Sequence, residues 1–160
     1  MKHTISVMVE NKPGVLARVS GLFSRRGFNI ESLAVGTTED PSVSRMTIIA
    51  SGDTLVLEQI MKQLYKLIDV IKVFDIPKDV AIERELVLFK VACTEKTRPE
   101  IIEIVDIFKA KVADVSDKAI TIEMTGEESK VDAMEKMLRK FGIKELVRTG
   151  KIALQRGVNE

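Results

Sequence analysis

Apolar side chains change period in the same order twice along this chain, and that duplication constrains the fold more than any other feature. From Thr4 to Glu10, Ile5, Val7 and Val9 alternate with Thr4, Ser6 and Met8, the period-two pattern of a strand with one buried face. Asn11-Lys12-Pro13-Gly14 interrupts it. Val15, Leu16, Val19, Leu22 and Phe23 then recur at helical spacing until Gly27. Phe28–Val35 and Val43–Ala50 read as strands separated by an Asp40-Pro41 turn. Leu57, Ile60, Met61, Leu64, Leu67 and Ile68 form a second helical stripe, and Val70–Ile76 is a fourth strand stopped by Pro77.

The order β-α-β-β-α-β then repeats. Leu86–Cys93 is a strand, and Ile101, Ile102, Val105 and Phe108 lie on one helical face behind a Thr97-Arg98-Pro99-Glu100 capping box. Val112–Ser116 and Ala119–Met124 are short strands. Thr125 and Glu128 offer a second capping box before the stripe Val131, Met134, Leu138, Phe141, which Gly142 ends. Ile143–Arg148 is the last strand. The fold class expected is α+β: two ferredoxin-like βαββαβ units, residues 1–78 and 79–160, each an antiparallel sheet with helices on one face. Residues 1–78 hold 10 basic and 8 acidic side chains and residues 79–160 hold 15 and 16. The second half is the more highly charged, so a shared plan does not imply a shared job.

Composition excludes several functions. A length of 160 residues is too short for a catalytic barrel of about 250. Against 25 basic residues stand 24 acidic ones, without the basic excess of a nucleic-acid binder. The third strand, Val43–Ala50, has no aromatic on which an RNA-recognition module would stack bases. One cysteine excludes a disulfide framework, and one histidine with scattered acids gives no nucleophile–base pair or metal set. No run approaches the ~18 uninterrupted apolar residues of a membrane helix. The chain reads as a cytoplasmic protein with no catalytic residue, no metal site, no nucleic-acid partner and no membrane partner. His3, at the head of the first strand, reads as a surface histidine, and Cys93 as a buried structural thiol.

The loop Glu10-Asn11-Lys12-Pro13-Gly14-Val15-Leu16 is the most informative segment. Pro13 suits a first helical turn, where its missing N–H costs nothing. Gly14, without Cβ, lets a ligand approach the backbone. The N–H groups of Gly14, Val15 and Leu16, with the positive end of the helix dipole, suit a carboxylate. Asn11 offers both donor and acceptor, and so suits an ammonium as well. Local physics leaves two readings open: a turn that caps a helix, or a seat for an amino acid.

Asn11-x-Pro13-Gly14-Val15-Leu16, between the first strand and first helix of a βαββαβ unit, resembles an ACT domain, a small regulatory module that usually binds amino acids. The longer run from Asn11 to Leu33, with Gly21-Leu22-Phe23 and Arg26-Gly27-Phe28-Asn29-Ile30, resembles the small regulatory subunits of acetohydroxyacid (acetolactate) synthase. The resemblance covers essentially the whole chain and is strongest over residues 3–76. It implies a subunit without an active site, partnered by a large catalytic subunit that carries thiamine diphosphate, Mg and FAD. It implies a homodimer made through the ACT sheets, activation of the catalytic subunit, and feedback inhibition by valine in branched-chain amino acid biosynthesis. Carried over by position, Asn11, Gly14, Val15 and Leu16 grip valine from one chain, and Asn29 and Ile30 close the site from the other. Val15, Leu16 and Ile30 would supply its apolar wall. The other reading within this class is a free-standing ACT-domain sensor serving a different partner.

Overall fold

The computed structural model describes residues 1–157 and divides into two compact units, residues 1–82 with the tail from Lys151, and residues 83–150. Both follow the expected order. In the first, β1 (Lys2–Glu10), α1 (Val15–Arg25), β2 (Asn29–Thr37), β3 (Val43–Ser51), α2 (Thr54–Leu64) and β4 (Val70–Asp75) build an antiparallel sheet of order β2-β3-β1-β4. Ile5, Val7 and Val9 of β1, with Met46, Ile48 and Ala50 of β3, face Val15, Val19 and Phe23 of α1 and Leu57, Ile60 and Leu64 of α2. Fully burying a side chain of this size contributes about 1.5–3 kcal/mol, so this layer holds the unit together.

His3 is not at the surface as its position suggested; it is 7% exposed. It shares the odd-numbered face of β1 with Ile5 and Val7, which the helices cover. Among the described residues its Nε2 meets no hydrogen-bond partner. The second helical stripe is shorter than its periodicity: α2 stops at Leu64, and Ile68 is 94% exposed. The Tyr65 hydroxyl turns the chain there, donating to the Val73 carbonyl at 2.6 Å and accepting the Val73 N–H at 3.1 Å.

Phe28 closes one end of this core, edge-on to Phe23 with ring centroids 6.2 Å apart. It also lies over Gly52, where an added Cβ would stand 2.6 Å from the ring. Gly52→Ala must displace a packed ring rather than a flexible chain end. The expected cost is about 1–3 kcal/mol, read as a lowered thermal midpoint against wild type; an unchanged midpoint would show that the ring yields freely.

A 3-10 turn (Lys78–Val80) leads into β5 (Ala81–Ala92). The second unit continues with α3 (Arg98–Ile107), β6 (Lys111–Val115), β7 (Ala119–Gly126), α4 (Glu128–Leu138) and β8 (Ile143–Arg148), in sheet order β6-β7-β5-β8. Val87, Phe89, Val91, Ile120, Ile122 and Met124 pack on Ile101, Val105, Val131 and Leu138, and Cys93 is buried among them. Neither expected capping box forms. Thr97 is helical and exchanges hydrogen bonds with Thr94: its Oγ1 accepts the Thr94 N–H at 2.8 Å, and its N–H donates to Thr94 Oγ1 at 3.2 Å. Glu100 instead pairs with Lys140 at 2.6 Å. Thr125 belongs to β7, opposite Leu86, so the next helix takes Glu127 as its N-cap.

The expected division at residue 78, with everything after it in the second unit, needs correction at the C-terminus. The tail from Lys151, with the short strand β9 (Ile152–Gln155), groups with the first unit. The Lys151 N–H donates to Ser32 Oγ at 2.9 Å, and Arg45 Nη2 donates to the Ala153 carbonyl at 3.1 Å. The Arg45 guanidinium also stacks over Phe74, 5.3 Å from the ring centroid. Ser32 pairs with Ile49 and Arg45 with Met8, so these contacts lie on the sheet face opposite the helices. Among the described residues no helix is long and apolar enough to cross a membrane.

Candidate functional site

The start of the β1–α1 loop is held from both sides. The Glu10 N–H donates to the Asp69 carbonyl at 2.8 Å, and the Asn11 N–H to the Ser42 carbonyl at 2.7 Å. Asn11 Nδ2 adds a bond to the Pro41 carbonyl at 3.1 Å, stapling the loop to the β2–β3 turn. The amide group of Asn11 is thereby oriented, and its Oδ1 remains an acceptor. Asp40 shapes that turn by accepting from the Ser42 hydroxyl and from the Ser42 N–H, and these bonds, the hydroxyl's first, hold its carboxyl below the usual pKa. Lys12 pairs with Glu10 at 2.8 Å; that hydrogen bond, and then the charge of Glu10, raise the lysine's pKa.

Gly14 is the N-cap of α1, at φ +83° and ψ −9°. The left-handed region is open to glycine and strained for most other residues. Because Gly14 is not helical, Pro13 lies ahead of the helix rather than in its first turn, as sequence had suggested. No side chain caps α1. The first N–H satisfied inside the helix is that of Arg18, which donates to the Gly14 carbonyl at 3.2 Å. The N–H groups of Val15, Leu16 and Ala17 thus sit at the positive end of the helix without an intrahelical acceptor. The arrangement suits an anion, and the exposed Asn11 beside it adds an acceptor for a cation.

The side chains divide differently from expectation. Val15 is 3% exposed and belongs to the core, so only its N–H faces the site. Leu16 is 45% exposed and presents apolar surface there. Asn29 and Ile30 are not brought to the loop within one chain. Glu10 pairs with Val43 and Thr37 with Ser44, which puts the loop at one end of the sheet; Asn29 pairs with Ser51 at the other. At about 3.3 Å per residue, the length of β2 separates them by roughly 25 Å. The register shifts between Ile30 and Ser32, so Glu31 is the extra residue of a bulge, and it pairs with Lys2 at 3.1 Å. Such bulges re-aim side chains at sheet edges.

Two residues that sequence reasoning passed over also belong to this corner. Arg18 donates from Nη2 to Asp69 Oδ2, and its Nη1 lies 3.3 Å from where a Cβ on Gly14 would stand. The only local signal was an arginine one helical turn after the glycine; its partner is 51 residues away in sequence.

A βαββαβ unit with an open helix start behind a Pro-Gly loop defines an ACT-type module, and residues 5–72 match the family described as an AHAS small subunit-like ACT domain. Residues 84–157 match a second family, described as the small subunit of acetolactate synthase. The chain belongs to the acetolactate synthase small-subunit family. It is 58% identical over 157 residues to the probable acetolactate synthase small subunit of Archaeoglobus fulgidus, covering 98% of each chain. Against the acetolactate synthase small subunit of Mycobacterium leprae it is 54% identical over 155 residues, covering 97% of this chain and 92% of that one. The crystal structure of the small subunit from Thermotoga maritima superposes with a TM-score of 0.93 at 43% identity, covering 99% of both.

Proposed function

We propose that this chain is the valine-sensing regulatory subunit of an acetolactate synthase, active as a homodimer joined through its first units. The observation that carries the reading is the uncapped start of α1 behind Gly14, with Asn11 Oδ1 beside it and bonded to none of the described residues. A carboxylate suits the amides, an ammonium suits Asn11, and an aliphatic side chain suits Leu16; Ile30 packs partly on the core of its own unit and would meet the ligand only with the surface left over. β2 is an edge strand that pairs only with β3 among the described residues. A two-fold axis that pairs it antiparallel with a second copy sets the Asn29 end of one β2 beside the Thr37 end of the other, where the loop lies. Asn11, Gly14, Val15 and Leu16 of one copy then meet Asn29 and Ile30 of the other. The family name implies a catalytic subunit as partner, and thiamine diphosphate, Mg and FAD belong to that subunit rather than to this chain. Because valine bridges two copies, it favours the dimer geometry that holds it, and that differential affinity is what feedback requires.

Titrating the full chain with L-valine, then adding it to its catalytic subunit, tests the reading. Saturable heat, activation on mixing and loss of the gained activity with valine are expected. Neither heat nor valine inhibition of the assembled synthase would overturn it.

A further inference from the structure

Helix side chains lean back toward the N-terminus, so Arg18, one turn beyond Gly14, reaches the loop. Its Nη1 stands 3.3 Å from the position a Gly14 Cβ would take, while its Nη2 is bonded to Asp69. Asp69 is fixed in turn, since its carbonyl accepts the Glu10 N–H at 2.8 Å. The Asp69 side chain is 15% exposed and that of Arg18 49%, so the anchor is sheltered while the cation stays half open to solvent. A guanidinium offers a planar fork of donors that grips a carboxylate through parallel bonds. Here one nitrogen is engaged by Asp69, and among the described residues nothing accepts from Nη1. The nearest other cation of the loop, Lys12, is already paired with Glu10. A half-exposed pair such as Arg18–Asp69 does little for stability by itself; its effect is to hold a guanidinium against the bare backbone of Gly14.

We infer that Arg18 reads the carboxylate of the effector and restricts the site to free α-amino acids over their amides and amines, with Asp69 setting its position. This rests on the proposal that the loop takes an amino acid, and deepens it: the amides supply the seat, and Arg18 the selectivity.

The test titrates the full chain, assembled with its catalytic subunit, with L-valine and with L-valinamide, which keeps the side chain and amine but has no carboxylate. Wild type is expected to prefer valine by tenfold or more, about the effect of one charge-assisted contact. Arg18→Gln is expected to weaken valine about tenfold and valinamide less than about twofold, which erases the preference. A Gln variant that keeps the wild-type preference overturns the assignment. If that variant does not fold, Arg18→Lys keeps the cation but lacks the fork. It is expected to lose about threefold to tenfold for valine alone; equal losses for both ligands overturn the assignment. Wild type that takes up neither ligand and is not inhibited by valine overturns the amino-acid reading itself, an outcome distinct from a valine-binding site indifferent to Arg18.

Discussion

Gly14→Asp is expected to abolish the response to valine while leaving a folded chain. Position 14 is left-handed at φ +83°. Aspartate enters that region more readily than most residues, so the strain is on the order of 1 kcal/mol and the fold survives it. The effect on the site is much larger. A Cβ here lies 3.3 Å from Arg18 Nη1, so the new carboxylate is delivered to the guanidinium and the open amides together. Tethered, it holds that seat at a very high effective concentration, and its charge repels an incoming carboxylate. Loss of at least about a hundredfold in valine affinity, some 2.7 kcal/mol, should follow, with the thermal midpoint within a few degrees of wild type. Gly14→Ala carries the strain without the charge and should lose far less. Inhibition by valine at wild-type concentrations in the aspartate variant would remove the loop from the site.

How much of this was legible in the sequence depends on the range of each interaction. Period located β1 and all four helices, because burial of one face forces it, although it carried α2 on to Ile68; for β8 it gave the observed bounds, Ile143–Arg148. Features set by the next turn of chain were less legible. Thr97 satisfied the spacing of a capping box, yet its hydroxyl bonds Thr94, and Thr125 was drawn into β7 by pairing with Leu86. Hydroxyl side chains have several local partners, and spacing does not decide among them. Features set by distant chain were not legible at all. β9 is four residues long, and its tail is tied down by Ser32 and Arg45. No local pattern encodes such long-range bonds.

The candidate site divides along the same line. Gly14 was legible as a backbone position, because a glycine behind a proline at a helix start marks a turn or a close approach. The inward turn of Val15 follows from the helical phase of Val19 and Phe23, and it takes the side chain out of the apolar wall that the family resemblance implies. Arg18 gave almost no signal, since its role depends on Asp69 arriving from the α2–β4 corner. Asn29 and Ile30 came into view through family resemblance alone. In one chain they lie at the far end of the sheet, and any function they share with the loop must be intermolecular.

That separation yields a test that distinguishes a shared site from two unrelated effects. Chains carrying Asn11→Ala and chains carrying Asn29→Ala should each be deaf to valine as homodimers, and should regain valine binding when the two are co-expressed and co-purified through different tags. Asn11 sits at the Glu10–Val43 end of the sheet and Asn29 at the Ser51 end, so one valine cannot touch both in the same copy. Under a two-fold axis each site takes its loop from one chain and its β2 start from the other. A mixed dimer therefore has one site with both asparagines intact and one with both replaced. Purification through both tags isolates those dimers, which should bind about one valine each, where wild type binds two. Without selection, random pairing leaves about a quarter of the sites intact. If Asn11 and Asn29 acted separately, each within its own chain, mixing would restore nothing, because every chain would still carry its own defect. If Asn29 merely stabilised β2, the Asn29→Ala homodimer would keep its valine sites and bind at near wild-type stoichiometry. Recovery to one site per mixed dimer is the outcome that requires the loop of one copy and the second strand of the other to hold the same ligand.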